Sequence, residues 1–223
     1  DEKDLVFLPE PLTYADGAQV ACGFGTVYEA LEKIGCSGND AVLVVGLGPV
    51  GLAALMLAKA MGANLLLGVD VNPERIELAK KLGLVDDAFA PDGALEKVRA
   101  CTGGHGVEKA LDASASEPGR ALAIRATREW GKIAFVGEGG TAKFEPSPDI
   151  IHGQKTIYGS WVTSLWRMED LVERLVRWNI HPDRLNTHRF ALEDAGEAYA
   201  LMASGHCGKV AVVFDGTEDK KHV

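Results

Sequence analysis

The sequence lacks a long uninterrupted apolar run and an N-terminal signal pattern. A helix that crosses a bilayer needs about 18 or more consecutive apolar residues, and the 223 residues contain no such run. Basic residues are in the minority, because the formal net charge is −9. This charge would repel a polyanion, and no basic stripe offsets it. The sequence therefore predicts no membrane partner, no nucleic-acid partner and a cytoplasmic location.

Cysteine and histidine are sparse and lack metal-binding spacing. The four cysteines include no CxxC pair, and the six histidines show no HxxxH spacing. The cysteines are Cys22, Cys36, Cys101 and Cys207, and the histidines are His105, His152, His181, His188, His206 and His222. Such cysteines are typical of reduced thiols in a reducing compartment. By residue type alone, Cys22 is better explained as a small buried hydrophobe than as a metal ligand.

Apolar runs and helical patterns alternate along the centre of the chain, and 47% apolar residues are enough for a sizeable core. Strands are predicted at 41–45, 65–69, 87–90, 107–113 and 131–136, with an edge strand at 155–159 and a last strand at 209–214. Helices are predicted at 18–34, 49–61, 73–82, 92–101, 117–128, 168–178 and 192–203. Parallel crossovers are the simplest connection between strands that alternate with helices. The sequence therefore predicts an α/β fold with a doubly wound parallel sheet of the Rossmann type.

The turn after the first predicted strand reads GLGPVG. Gly46 can adopt the tight turn that leaves the strand, and Gly48 has no Cβ to keep a pyrophosphate away from the backbone. Gly51 allows the next helix to lie close to the sheet. The unpaired N–H groups of the helix that begins near Pro49, and the positive end of its dipole, face the phosphates. The turn is therefore predicted to bind an anion.

An acidic residue, Asp70, closes the second predicted strand. Its carboxylate can accept hydrogen bonds from both hydroxyls of an adenosine ribose, and its negative charge would repel a 2′-phosphate. A GxGxxG pattern by itself is a weak signal, because glycines also cluster in ordinary turns. Here a strand precedes the glycines, a helix follows them, and the acid stands nineteen residues beyond Gly51. The combination predicts binding of NAD in preference to NADP.

Two other classes of function also fit a glycine turn followed by an acid. S-adenosylmethionine-dependent methyltransferases combine the same two features, although their sheet usually closes with an antiparallel hairpin. A non-catalytic nucleotide-binding module could use a bound cofactor only to stabilise an interface. Titration with each cofactor tests the first alternative, and the gene sequence upstream of Asp1 tests the second.

Several motifs in order carry a resemblance to a known family. They are CGFGT, VGLGPVG, the strand ending in Asp70, YGSW, and the closing residues Glu197-Ala198-Tyr199 and Gly208-Lys209-Val210. With these motifs the chain resembles the zinc-dependent medium-chain alcohol and polyol dehydrogenases over nearly all of residues 5–215, and it matches their C-terminal half. Family members also carry an N-terminal catalytic domain with a Gly-His-Glu zinc motif, which has no counterpart here. The resemblance implies a truncated protein, a proteolytic product or an unusually short relative.

The resemblance also implies a domain organisation. Residues 1–23 are expected to be a remnant of the catalytic domain, and residues 24–158 an NAD-binding Rossmann domain. Residues 159–215 are expected to form helices and a strand that return to the catalytic domain, and residues 216–223 a flexible tail. The sheet would thus be flanked by N- and C-terminal segments of the catalytic domain.

The resemblance assigns cofactor contacts to individual residues. Thr26 matches a hydroxyl on the nicotinamide side of the cofactor, and Arg75 matches a basic residue near the ribose. The backbone at Val136 and Tyr158 is implied to lie beside the carboxamide, and Lys209 near the pyrophosphate. The matches to the pyrophosphate turn and the ribose acid are Gly46, Gly48, Pro49, Val50, Gly51 and Asp70.

Cys22 matches the position where many members place the last ligand of the catalytic zinc. One thiolate cannot hold zinc, because a catalytic site needs about three protein ligands and an open position. Zinc is therefore expected in the full-length enzyme and not in this chain.

The function implied is that of the cofactor-binding part of an NAD-dependent oxidoreductase acting on a secondary alcohol or polyol. In the complete enzyme, zinc would act as a Lewis acid on the alcohol oxygen. This chain alone is expected to bind NAD(H) without turnover. A homodimer is expected as well, because the edge strand near 155–159 can pair with its copy.

Overall fold

Six parallel strands form the central sheet of the protein. They are β1 (Ala41–Val45), β2 (Leu65–Val69), β3 (Asp87–Phe89), β4 (Val107–Asp112), β5 (Thr127–Phe135) and β6 (Thr156–Gly159). Their order is β3-β2-β1-β4-β5-β6, so the direction of winding reverses between β1 and β4. The predicted α/β fold with a Rossmann-type parallel sheet is confirmed. The computed structural model describes residues 1–214, and the tail predicted at 216–223 lies outside the described residues.

Helices cover both faces of this sheet. They are α1 (Tyr14–Gln19), α2 (Gly25–Ile34), α3 (Pro49–Ala60), α4 (Pro73–Lys81), α5 (Ala94–Cys101), α6 (Glu117–Ala126), α7 (Leu165–Trp178) and α8 (Ala195–Ser204). Val42 and Val44 pack with residues of α2, α3, α4 and α7, whereas Leu43 and Val45 pack with residues of α5 and α6. Because β1 is buried on both faces, its sequence is continuously apolar rather than alternating.

The first helical region begins earlier than predicted and contains an irregular turn. The Thr13 hydroxyl accepts a hydrogen bond from Asp16 N at 3.1 Å, and the Asp16 carboxylate accepts one from Thr13 N at 2.9 Å. This capping box starts α1. Between α1 and α2, residues Val20–Phe24 form a π-helical segment. The helix predicted at 18–34 is therefore three consecutive helical segments.

β5 begins four residues earlier than predicted, directly after α6. The Thr127 hydroxyl donates to Ala123 O at 2.7 Å, while the Thr127 backbone is already extended. Trp130 has a φ of 61°, and its N–H donates to Gly153 O at 2.7 Å. The first residues of β5 are mostly polar and do not alternate between apolar and polar side chains, which is the pattern that predicts a strand. Contacts with distant parts of the chain, and not the local pattern, therefore determine where the strand starts.

The C-terminal part contains a two-stranded parallel sheet, of which only one strand was predicted. β7 (Asn186–Ala191) pairs with β8 (Lys209–Val213), and α8 connects them. The central residues of β7 are polar and exposed, so this strand lacks the period-two pattern that predicts strands. Within residues 1–214, no helix is both long and apolar enough to cross a membrane.

Candidate functional site

The turn between β1 and α3 is built by close contact of glycine backbones. Gly46 has a φ of 92°, and its N–H donates to Val69 O at 2.8 Å. A Cβ on Gly46 would lie 2.7 Å from Ser114 N, in the loop after β4. A Cβ on Gly51 would overlap the carbonyl oxygen of Gly46. Both glycines therefore stand where a side chain cannot be accommodated.

The N-terminus of α3 opens into the crevice beside this turn. Gly48 is the N-cap residue, Pro49 is the first helical residue, and no side chain of the described chain caps the helix. Among residues 1–214, a Cβ on Gly48 would meet only the Arg75 guanidinium, 3.7 Å from Nη1. The N–H groups of the half-buried Val50 and of Gly51 therefore have no side-chain acceptor, and the positive end of the helix dipole lies with them. This arrangement suits an anion such as a pyrophosphate.

Asp70 follows β2 and fixes the glycine turn. Its Oδ2 accepts a hydrogen bond from Leu47 N at 2.6 Å, and its Oδ1 accepts one from Asn72 N at 2.8 Å. The residue is 5% exposed. An ionised carboxylate has about four acceptor positions, so each oxygen can accept one more hydrogen bond. The carboxylate thus combines a structural role in the turn with remaining capacity for two hydroxyl groups.

Arg75, on α4, lies across the front of the turn. Its Nη1 is 3.9 Å from Asp70 Oδ2, and its Nη2 is 3.0 Å from the position of a Cβ on Gly205. Its Nε is buried and has no hydrogen-bond partner among the described residues. The positive charge therefore lies between the turn and the loop that precedes β8, close to both the predicted ribose and the predicted phosphate positions.

The loop between α8 and β8 closes this side of the crevice. Asn72 Nδ2 donates to Gly205 O at 3.1 Å, and His206 Nδ1 lies 2.8 Å from Glu74 Oε2. Lys209 begins β8 and is half-buried. The structure thus brings this C-terminal loop to the start of α4. The contact of Lys209 with a pyrophosphate stays a prediction.

The loops after β4 and β5 form the other side of the crevice. Val136 N donates to Asp112 O at 2.9 Å, and a Cβ on Gly137 would lie 2.5 Å from Ala115 N. Tyr158 is half-buried on the neighbouring strand β6. Ligands of doubly wound sheets bind outside the carboxyl ends of the strands, where the winding reverses. Val136 and Tyr158 therefore lie on the side of the crevice opposite to β2.

Thr26 and Cys22 lie on the helical region that precedes β1. Thr26 Oγ1 is buried and has no hydrogen-bond partner among the described residues. Such buried hydroxyls are uncommon, and the contact of this one with a cofactor stays a prediction. Cys22 is exposed in the π-helical segment. In the part of the chain that the structure describes, no three His, Cys, Asp or Glu side chains come together as a metal site.

Other buried ionisable groups serve packing away from the crevice. The Tyr28 hydroxyl donates to the Asp170 carboxylate, and burial raises the pKa of Tyr28 well above its ordinary value. Burial alone would raise the pKa of Asp170, but hydrogen bonds from Tyr28 and Arg174 lower it. Burial raises the pKa of Cys36 to about 12, so this cysteine stays a thiol. The hydrogen bond between Tyr28 and Asp170 joins α7 to α2.

A buried ion pair beside the crevice was not predicted from the sequence. Asp112 ends β4 and is fully buried, and Arg120 on α6 is 7% exposed. Arg120 Nε lies 3.3 Å from Asp112 Oδ2, and Ser114 Oγ donates to Asp112 Oδ1 at 2.6 Å. One sequence signal could have revealed it. The signal is an acid at the end of a strand, since Asp112 stands at the end of β4 as Asp70 stands at the end of β2. In the structure each acid accepts hydrogen bonds from the loop that follows it.

A doubly wound parallel sheet with a glycine turn and an acid beside its switch point defines a Rossmann-type domain. The sequence of this domain matches the family model described as zinc-binding dehydrogenase over residues 49–178, more than half of the chain. The chain belongs to this family of zinc-binding dehydrogenases.

Individual relatives are similar over most of this chain. An uncharacterized zinc-type alcohol dehydrogenase-like protein of Escherichia coli K12 is 49% identical over 216 residues, which are 96% of this chain and 61% of that protein. Sorbitol dehydrogenase of Bacillus subtilis is 29% identical over 94% of this chain and 60% of its own length. The solved structure of alcohol dehydrogenase from Thermus sp. ATN1 has a TM-score of 0.83 and 25% identity, over 92% of this chain and 60% of its own. The chain thus spans about three fifths of these relatives.

Proposed function

We propose that the chain is the cofactor-binding part of an NAD-dependent, zinc-containing oxidoreductase that transfers a hydride between a secondary alcohol or polyol and NAD. The main support is the Asp70 carboxylate, held by Leu47 N and Asn72 N beside the uncapped N-terminus of α3. Family membership supports the oxidoreductase class. A polyol is one candidate substrate class because one relative is a sorbitol dehydrogenase, and other relatives of similar identity are L-threonine 3-dehydrogenases.

The residues present fit NAD along the crevice. The N–H groups at the start of α3 and the charge of Arg75 suit the pyrophosphate. Asp70 suits the two hydroxyls of the adenosine ribose and disfavours a 2′-phosphate. The unpartnered Thr26 hydroxyl suits a contact on the nicotinamide side. NAD supplies the hydride chemistry when bound, and these residues hold and orient it.

The described residues do not fit a zinc ion in the same way. Cys22 is exposed and stands without a cluster of further ligands among residues 1–214, whereas a catalytic zinc needs about three protein ligands. Zinc chemistry would therefore need further ligands from outside the described residues. For this chain alone we propose binding of NAD(H) without alcohol turnover.

The methyltransferase alternative does not fit the fold. All six strands of the described sheet run parallel, and the antiparallel hairpin expected of such enzymes does not occur in it. A non-catalytic nucleotide-binding module remains the second candidate, because a crevice that only binds a cofactor would have the same geometry. The two functions differ in whether the complete protein oxidises an alcohol.

Titration calorimetry of the 223-residue chain with NAD, NADP and S-adenosylmethionine tests the proposal. We expect NAD to bind at least about tenfold more tightly than NADP, a difference of about 1.4 kcal/mol, and S-adenosylmethionine not to bind. With added polyol and zinc, we expect no increase in absorbance from NADH. S-adenosylmethionine binding without NAD binding would refute the cofactor assignment, and robust turnover would refute the need for further ligands.

We propose further that the chain forms a homodimer through β6. This strand is the last in the sheet order of residues 1–214, so the described part of the chain leaves one of its edges unpaired, where a second copy can pair. Trp161 and Trp166, which follow β6, are 65% and 57% exposed and would be covered in a dimer. Sedimentation velocity over a range of concentrations measures the mass, and a monomer at the highest concentration would contradict the proposal.

A further inference from the structure

Arg120 connects the end of β4 to the loop that follows β5. Its Nε donates to Asp112 Oδ2 at 3.3 Å. Its Nη2 donates to the carbonyl oxygens of Gly137 and Gly139, each at 2.7 Å, and its Nη1 donates to Thr141 O at 3.1 Å. All three nitrogens of the guanidinium are therefore used, one on the acid of β4 and two on the loop of residues 137–141.

This contact is buried and specific to arginine. The side chains of Arg120 and Asp112 are 9% and 0% exposed, and the guanidinium carbon lies 5.4 Å from the centre of the Phe135 ring. A buried charge is tolerated only when it is paired and hydrogen-bonded. The planar guanidinium can donate hydrogen bonds in three directions at once, whereas the ammonium of lysine is a compact point charge.

The loop that Arg120 holds contains two glycines with positive φ angles. Gly139 and Gly140 take φ values of 81° and 63°, and glycine is the residue with the most backbone freedom to lose. A second tether is exposed, because the Thr141 hydroxyl donates to Glu117 Oε2 at 2.8 Å. Arg120 therefore provides three hydrogen bonds to this loop, beside that of Thr141 with Glu117 and that of Gly137 N with Asp112 O at 3.0 Å.

The loop lies on the half of the crevice that Asp70 does not serve. In a dinucleotide-binding sheet each half binds one mononucleotide. The acid after β2 marks the adenosine half, so the ends of β4 and β5 face the second mononucleotide. Val136, directly before the loop, carries the backbone that would meet the second base.

We propose that Arg120 is a positioning residue for the nicotinamide half of the cofactor. By binding the carbonyl groups of residues 137–141 it holds the end of β5 in the conformation that receives the nicotinamide mononucleotide. The proposal rests on the proposed NAD function. The proposal predicts different effects on the two halves of the ligand. Loss of Arg120 should weaken the contribution of the nicotinamide to the binding affinity and leave the contribution of the adenosine diphosphate unchanged.

The test is calorimetric titration of NAD and of ADP-ribose, which lacks the nicotinamide, with the full chain and its variants. For Arg120→Met we expect the dissociation constant of NAD to rise about tenfold and that of ADP-ribose to change less than about twofold. Arg125→Met is the matched control on the same helix, because Arg125 pairs with Asp149 away from the loop. It should leave both constants unchanged.

Two further variants keep the test informative if Arg120→Met does not fold. Arg120→Lys keeps the positive charge but not the planar guanidinium with its several donors, and it should show the same selective loss of NAD affinity. Thr141→Val removes only the exposed tether, and should shift the NAD constant in the same direction by about two- to threefold.

Equal weakening of NAD and ADP-ribose in these variants, or no weakening of either, would overturn the positioning role. A wild-type chain that binds neither ligand would instead overturn the proposed function. The two failures are therefore distinguishable in one set of titrations.

Discussion

Replacement of Gly51 by alanine is expected to abolish measurable NAD binding and to lower the free energy of unfolding by about 3 kcal/mol. The new Cβ would overlap Gly46 O and lie 3.3 Å from Val44 Cγ1. Gly46 cannot yield easily, because Val69 O and the loop after β4 hold it. α3 would have to move away from the sheet, and its N–H groups would leave the phosphate position. Calorimetry and denaturant unfolding measure the two effects.

Gly196→Ala is the matched control for this substitution. Gly196 is also in the first turn of a helix, α8, and a Cβ there would meet no atom of the described residues within 4 Å. Alanine should stabilise the chain by up to about 1 kcal/mol and leave NAD binding unchanged. If Gly51→Ala binds NAD within a factor of two of the wild type, the close approach of α3 to β1 does not determine the phosphate site.

Replacement of Asp70 by asparagine is expected to weaken NAD binding about 30-fold, or about 2 kcal/mol, with little change for NADP. The amide keeps the shape of the carboxylate but not its charge. It also turns one acceptor into a donor, which then faces the N–H of Leu47 or Asn72. Both the ribose contact and the turn lose a hydrogen bond, while repulsion of a 2′-phosphate disappears. The ratio of the two dissociation constants measures this loss of preference.

Asp86→Asn controls for the backbone hydrogen bond alone. Asp86 Oδ2 accepts from Leu66 N at 2.7 Å, near the amino end of β2 and away from the crevice. This variant should lower stability without changing the ratio of NAD to NADP affinity. A ratio that is unchanged in Asp70→Asn as well would show that the carboxylate charge does not select the cofactor.

The central sheet and the glycine turn were predictable because their signals are local. Each of the first strands is a short apolar run, and Gly46, Gly48 and Gly51 stand within six residues of one another. The position of Asp70 at the end of an apolar run was enough to predict it as the acid that follows the second strand. Sheet pairing of these segments follows from the rule that alternating strands and helices wind in parallel.

The rest of the candidate site depends on contacts between distant residues. Arg120 binds carbonyl groups 17 to 21 residues away. The sequence pattern of α6 does not indicate which groups its side chain contacts. The position of Arg75 over Gly48 depends on how α4 is oriented against α3. β7 pairs with a strand about twenty residues later, although its own sequence is polar. Such features follow from tertiary packing, which a local pattern does not contain.

The hydrogen bond between Asn72 and Gly205 spans 133 residues. On the ribosome, the glycine turn and Asp70 therefore emerge long before the loop that completes their wall. Until that loop has been synthesised, Arg75 and the start of α4 have no neighbour on this side. Nucleotide binding of the kind proposed would thus be acquired only after this loop has been synthesised.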